Sequence, residues 1–163
     1  MNIFTIGFAQ KSAEEFFKLL ITNKVECLID IRLNNYSQLA GFTKHKDLQY
    51  FIKTITKIDY SHGINYAPTK DILDDYKSGK LSWDDYKIEY NSLIDARKIE
   101  ILFKKTVKNK YLNICLLCSE AQATNCHRSL LAEYLKSKFD GVKIVWGLFR
   151  TFEVSSDCLC FTC

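Results

Sequence analysis

Three segments near the start of the chain, apolar, amphipathic and apolar again, leave little choice of fold. Asn2 to Ile6 is a short apolar stretch that ends at Gly7. Ser12-Ala13-Glu14-Glu15 then has the pattern of a capping box, Ser12 as N-cap with Glu15 three residues on, and Phe16, Leu19 and Leu20 follow at helical spacing. Val25 to Ile31 is an almost continuous apolar and β-branched run, which reads as a buried strand. Strand, helix and strand in about 30 residues make a βαβ unit. Its strands are parallel and its crossover right-handed.

The rest of the chain repeats the alternation. A helix capped by Thr43 is predicted to carry Leu48, Phe51, Ile52 and Ile55, and Ile64 to Pro68 is predicted as a short strand halted by the only proline. From Thr69 to Lys110 the pattern is mostly helical, one piece holding Ile72, Leu73 and Tyr76 and a longer one, capped by Ser82, running through Leu93, Ile94, Ile101, Leu102 and Val107. Tyr111 to Leu117 reads as a strand ending at Cys118, a helix starts near Thr124 or Asn125, and Val142 to Trp146 is the closing strand. At 163 residues and 47% apolar content this is one domain with a substantial core. An aromatic content of 13% and the scarcity of Gly and Pro exclude disordered and collagen-like chains. The expected fold is α/β: a single domain over residues 1–150, a mainly parallel sheet with helices on both faces, Rossmann-like, followed by a Cys-rich tail over residues 151–163.

A formal charge of +4 suits a small anionic ligand, with nucleic acid as the alternative partner. No basic n-region or long apolar run stands near Met1, so neither a signal peptide nor a membrane span is expected. The seven cysteines are an odd number, which argues for free thiols in a reducing cytoplasm. Cys27 and Cys115 fall inside apolar strands and are assigned to the core, while Cys158, Cys160 and Cys163 belong to the tail.

Two clusters of reactive side chains fall at the carboxyl ends of predicted strands, where α/β proteins place their sites. One is Asp30-Ile31-Arg32. The other runs from Cys118-Ser119-Glu120 to Cys126-His127-Arg128, two thiols, a carboxylate, an imidazole and a guanidinium at a strand-loop-helix junction. In a parallel sheet the two clusters project toward the same edge. His127 and Arg128 in a first helical turn favour an anion, and paired guanidinium groups suit phosphate or carboxylate.

Thr5-Ile6-Gly7, Asp30-Ile31-Arg32, the pair Cys118-x-Glu120, and Cys126-His127-Arg128 with the following Ser129 to Leu135 resemble the bacterial and archaeal domain-of-unknown-function family numbered 488. The resemblance covers roughly residues 2 to 150, the scale of one domain. It implies a fold and a site without an established reaction. Phe8, Asn35 and Gln38 depart from the residues many relatives carry in these loops, so no histidine serves in the first loop here.

The expected site therefore joins Cys118, Glu120, His127 and Asp30 as catalytic groups with Arg32, Arg128, Cys126 and Gly7 as anion-binding positions. Glu120 or Asp30 is the general base and His127 the acid or orienting group. The alternative is structural: Asp30 pairs with an arginine, Glu120 bridges the loop, and Cys118 packs under the strand end. No cofactor is expected. Zinc is the remaining option, because Cys118, Glu120, Cys126 and His127 are ligand types, but adjacent Cys126 and His127 on one helical turn would point about 100 degrees apart. The leading function is an enzyme acting on a phosphorylated or otherwise anionic, nucleotide-like substrate. The alternative is a non-catalytic nucleic-acid-binding or regulatory module that uses the basic run Arg97 to Lys110, and a homodimer is compatible with either.

Overall fold

A computed structural model describes residues 1–36 and 41–146, so the Cys158-Cys160-Cys163 tail lies outside the described residues. Strands β1 (Asn2–Gly7), β2 (Cys27–Asp30), β3 (Asp59–His62), β4 (Asn113–Cys118) and β5 (Lys143–Val145) form one sheet in the order β3-β2-β4-β1-β5. All four strand pairings are parallel, as the βαβ reading requires. The helices are α1 (Ala13–Thr22), α2 (His45–Phe51), α3 (Lys70–Lys77), α4 (Trp83–Ala96), α5 (Ile99–Phe103) and α6 (His127–Lys138).

Alternation along the strands sorts the core into two layers. Phe4, Ile6, Leu28, Cys115 and Leu117 pack with Phe16, Phe17 and Leu20 of α1 and Leu48 of α2. Ile3, Ile29, Ile114 and Leu116 pack with Tyr86, Tyr90 and Ile94 of α4, Phe103 of α5 and Leu131 and Leu135 of α6. The route of the chain explains the two layers. From β1 it crosses by α1 to β2 on one side, and from β4 it crosses by α6 to β5 on the other. Two crossovers of one hand running in opposite directions lay their helices on opposite faces.

Several local expectations change. The strand predicted at Ile64–Pro68 lies earlier, because Asp59–His62 is the segment that aligns with Cys27–Asp30, while Ile64–Tyr66 is a 3-10 turn. Its residues alternate exposed and half-buried at the sheet edge, so they lack the apolar run that signals a strand. Thr43 is not the cap of α2. It is buried at the end of a 3-10 turn, and Lys44 precedes the helix. The long helix predicted through Leu93 and Val107 breaks at Lys98, which sits at φ 51 and turns the chain between α4 and α5. Cys27 and Cys115 are buried as expected. Burial pushes the Cys27 thiol up to about 11 and Cys115 further still.

Both N-cap expectations at Ser12 and Ser82 hold, each hydroxyl accepting the backbone N–H three residues on, from Glu15 and Asp85. Ser82→Ala is expected to cost about 1 kcal/mol by leaving the Asp85 N–H without its cap, readable as a lower urea midpoint with an unchanged m-value.

Candidate functional site

The strand ends gather the predicted residues into two adjoining clusters. Asp30 and Arg32 form the first. Arg32 donates through Nε and Nη2 to the two carboxylate oxygens of Asp30, each at 2.7 Å, and Nη2 also donates to the Thr43 carbonyl at 2.8 Å. Both residues are buried, and the Arg32 guanidinium lies over the Phe8 ring, 5.1 Å from its centroid. Asp30 also accepts from the Tyr60 hydroxyl at 2.9 Å and from Asn35 Nδ2 at 3.4 Å. The carboxylate is saturated by its neighbours.

His45 and His62, which belong to no sequence motif, are both half-buried parts of this network. His45 Nδ1 is 2.9 Å from Asn35 Nδ2, and His62 Nε2 donates to the Arg32 carbonyl at 3.0 Å.

The second cluster spans the end of β4 and the start of α6. Cys126 is the N-cap, with an extended backbone at φ −131 and ψ 135, and His127 opens the helix. Cys118 Sγ lies 3.9 Å from His127 Nδ1, and His127 Nε2 donates to the Ile31 carbonyl at 3.0 Å. That last bond ties the two clusters together. Donation from the Cys126 thiol, helped by the His127 imidazole and Arg128, holds Cys118 well below the ordinary thiol range against the opposing effect of burial. Cys126, the donor, is pushed far up. Burial lowers His127, but the Cys118 sulfur and the bond to Ile31 outweigh it and raise the imidazole.

Arg128 does internal work on the loop. Its Nη1 donates to the Glu120 carbonyl at 2.6 Å and its Nη2 to the Ala121 carbonyl at 3.2 Å, while Nη1 also approaches Cys126 Sγ at 3.7 Å. The Glu120 side chain is exposed. Gly7, paired in register with Cys118, lets this loop approach: a Cβ there would stand 1.6 Å from the Glu120 carbonyl oxygen.

A cavity of about 700 Å³ opens beside these elements. Strand β5 accompanies β1 only from Asn2 to Phe4, and past its end the cavity is walled by Thr5, Ile6 and Gly7. Lys11 and Glu15 of the α1 start, Trp83 and Lys87 of α4, Gln122 and Asn125 of the loop, Arg128 of α6 and Trp146 complete most of the wall. The location follows from the topology. Connections leaving the adjacent strands β1 and β4 diverge, and such a switch point leaves a crevice at the strand carboxyl ends. Gly7 and Arg128 are the predicted site residues that line it, whereas Cys118, His127, Asp30 and Arg32 do not. Lys11, Glu15, Lys87 and Trp146 escaped sequence reasoning because they come from separate elements without a shared motif.

The two ends of the basic run are engaged within the fold. Arg97 donates to the carbonyls of Asn65 and Ala67 at 2.9 and 2.6 Å, and Lys110 pairs with Asp59 at 3.3 Å. Among the described residues no helix is long and apolar enough to cross a membrane.

Together these features define a parallel α/β domain with a Cys-x-Glu and Cys-His-Arg loop at its switch point. The chain belongs to the family described as Domain of unknown function DUF488, which it matches over residues 12–135. Comparison with curated proteins and with solved structures finds no match.

Proposed function

We propose that this chain binds a small phosphorylated or otherwise anionic, nucleotide-like substrate in the crevice beside β1 and β4. The observation that carries the reading is the cavity of about 700 Å³ at the switch point, within the size range of small-molecule sites. Its wall supplies three cations, Lys11, Lys87 and Arg128, against one acid, Glu15. Trp83 and Trp146 add flat apolar surface suited to a base or another planar ring. The remaining polar groups, Gln122 and Asn125, offer hydrogen bonds for orientation. In this reading Arg128 keeps the loop closed through its carbonyl bonds, and the flexible lysines meet the charge of the ligand.

Calorimetric titration with adenosine and guanosine monophosphates, and with inorganic phosphate, tests the reading. Binding of a nucleotide with quenching of tryptophan fluorescence is the expected outcome. Lys11→Ala and Lys87→Ala should each weaken it about tenfold, the equivalent of ~1.4 kcal/mol. Absence of binding at low salt, or affinity unchanged in both variants, overturns the proposal. Preference for polynucleotides, with affinity collapsing as salt rises from about 50 to 200 mM, would move the assignment to a nucleic-acid-binding module.

A further inference from the structure

The adjacency of Cys126 and His127 argues against a shared ligand only while both residues are helical. Cys126 is not, because its extended N-cap backbone releases its side chain from the helical progression. The result is a convergence: the sulfurs of Cys118 and Cys126 and a ring nitrogen of His127 all lie within 4.8 Å of one another, and all three residues are buried. We propose that Cys118, Cys126 and His127 form a three-ligand site for a thiophilic divalent cation of the zinc type, with the fourth position left to water or an exogenous ligand.

Geometry, orientation and charge each support the assignment. With zinc–sulfur bonds of about 2.3 Å and zinc–nitrogen bonds of about 2.0–2.1 Å, tetrahedral donors stand roughly 3.5–3.8 Å apart. The Cys118 Sγ to His127 Nδ1 separation of 3.9 Å is already close to that spacing. His127 donates its Nε2 proton to the Ile31 carbonyl, so in the neutral ring that binds a metal the Nδ1 lone pair faces Cys118. A histidine ligand anchored through its other nitrogen is the usual supporting arrangement in metal sites. Arg128 Nη1 adds a donor 3.7 Å from Cys126 Sγ, a contact suited to a thiolate. Two thiolates and a divalent cation sum to zero charge, which suits a buried position. Three ligands from the end of β4 and the start of α6 also define a set with one open coordination position, the arrangement of catalytic rather than structural zinc. Glu120, a candidate ligand by residue type, is outside the converging set. The site does not depend on the nucleotide reading, since Cys118 and His127 do not line that cavity.

The test uses the 163-residue chain carrying Cys158→Ser, Cys160→Ser and Cys163→Ser, so that these tail thiols contribute nothing. Chelator-treated, reduced protein is titrated with Co²⁺ in the absence of nucleotide. One equivalent should give the intense visible bands of tetrahedral cobalt and a thiolate-to-cobalt charge-transfer band, both abolished by Zn²⁺. X-ray absorption of the zinc form should then resolve two sulfur neighbours. Cys118→Ser, Cys126→Ser and His127→Gln should each weaken cobalt binding at least about a hundredfold. Cobalt spectra that lack the charge-transfer band, or that show no saturable binding, overturn the proposal without reference to the site variants. So does a zinc shell without two sulfurs.

Discussion

Asp30→Ala is expected to lower the unfolding free energy by about 3–5 kcal/mol, because it strands the Arg32 guanidinium in the interior. Arg32 is only 3% exposed, and its two short bonds to Asp30 supply its counter-charge. The Thr43 carbonyl remains as its acceptor, which satisfies one N–H and no charge. The substitution also removes the acceptor of the Tyr60 hydroxyl and one partner of Asn35. Against a typical total of about 5–15 kcal/mol, that loss is a large fraction of stability. Chemical denaturation of the two proteins measures it. A comparison variant, Asp30→Leu with Arg32→Met, separates the cost of the broken pair from the worth of the intact one. It should recover much of the loss, since apolar replacement of a buried ion pair is often close to neutral. A change below about 1 kcal/mol for Asp30→Ala alone would show that water reaches the guanidinium.

Gly7→Ala is the second large effect, with an expected cost of about 3 kcal/mol, the upper part of the range for overpacked sites. The new methyl would sit 1.6 Å from the Glu120 carbonyl oxygen and 2.6 Å from its carbon, which are backbone atoms and cannot rotate away. It would also stand 3.0 Å from Arg128 Nη1. The loop must therefore move as a unit, and Arg128 loses the carbonyl geometry that now ties Glu120 and Ala121 to α6. Since Gly7 lines the cavity, the same displacement reshapes the proposed binding crevice. Thermal unfolding should report the stability loss, and nucleotide titration of the folded fraction should report weaker binding. A variant as stable as the parent would mean that the loop has room to withdraw from β1.

The parts of this protein that sequence reasoning reached are those governed by neighbours along the chain. Val25 to Ile31 and Tyr111 to Leu117 announce buried strands through apolar runs, and β2 and β4 lie within them. Ser12 and Ser82 announce helix starts through a side chain that reaches only three residues. The Cys118-to-Arg128 stretch was legible as a candidate site because strand, loop and helix N-terminus carry its reactive groups in one short segment. Strand β3 was missed because Asp59-Tyr60-Ser61-His62 owes its extended form to pairing with β2 rather than to its own side chains.

What each reactive group meets was beyond reach for the same reason. Arg32 and Arg128 carry identical guanidinium groups, yet one is paired with the Asp30 carboxylate and the other is held by two loop carbonyls and lines the cavity. Cys118 and Cys126 are brought together with His127 by an extended backbone at the helix N-cap, a conformation that residue identity alone did not dictate. The amino-acid sequence by itself determined the alternating strands and helices, the parallel sheet they imply and the short segment that bears the reactive side chains. Only the tertiary structure decided which of those side chains pair, which converge and which wall a cavity, because those outcomes depend on contacts between residues far apart in the chain. Hydrophobic periodicity and capping are local, whereas charge pairing, donor convergence and cavity shape are properties of the packed fold.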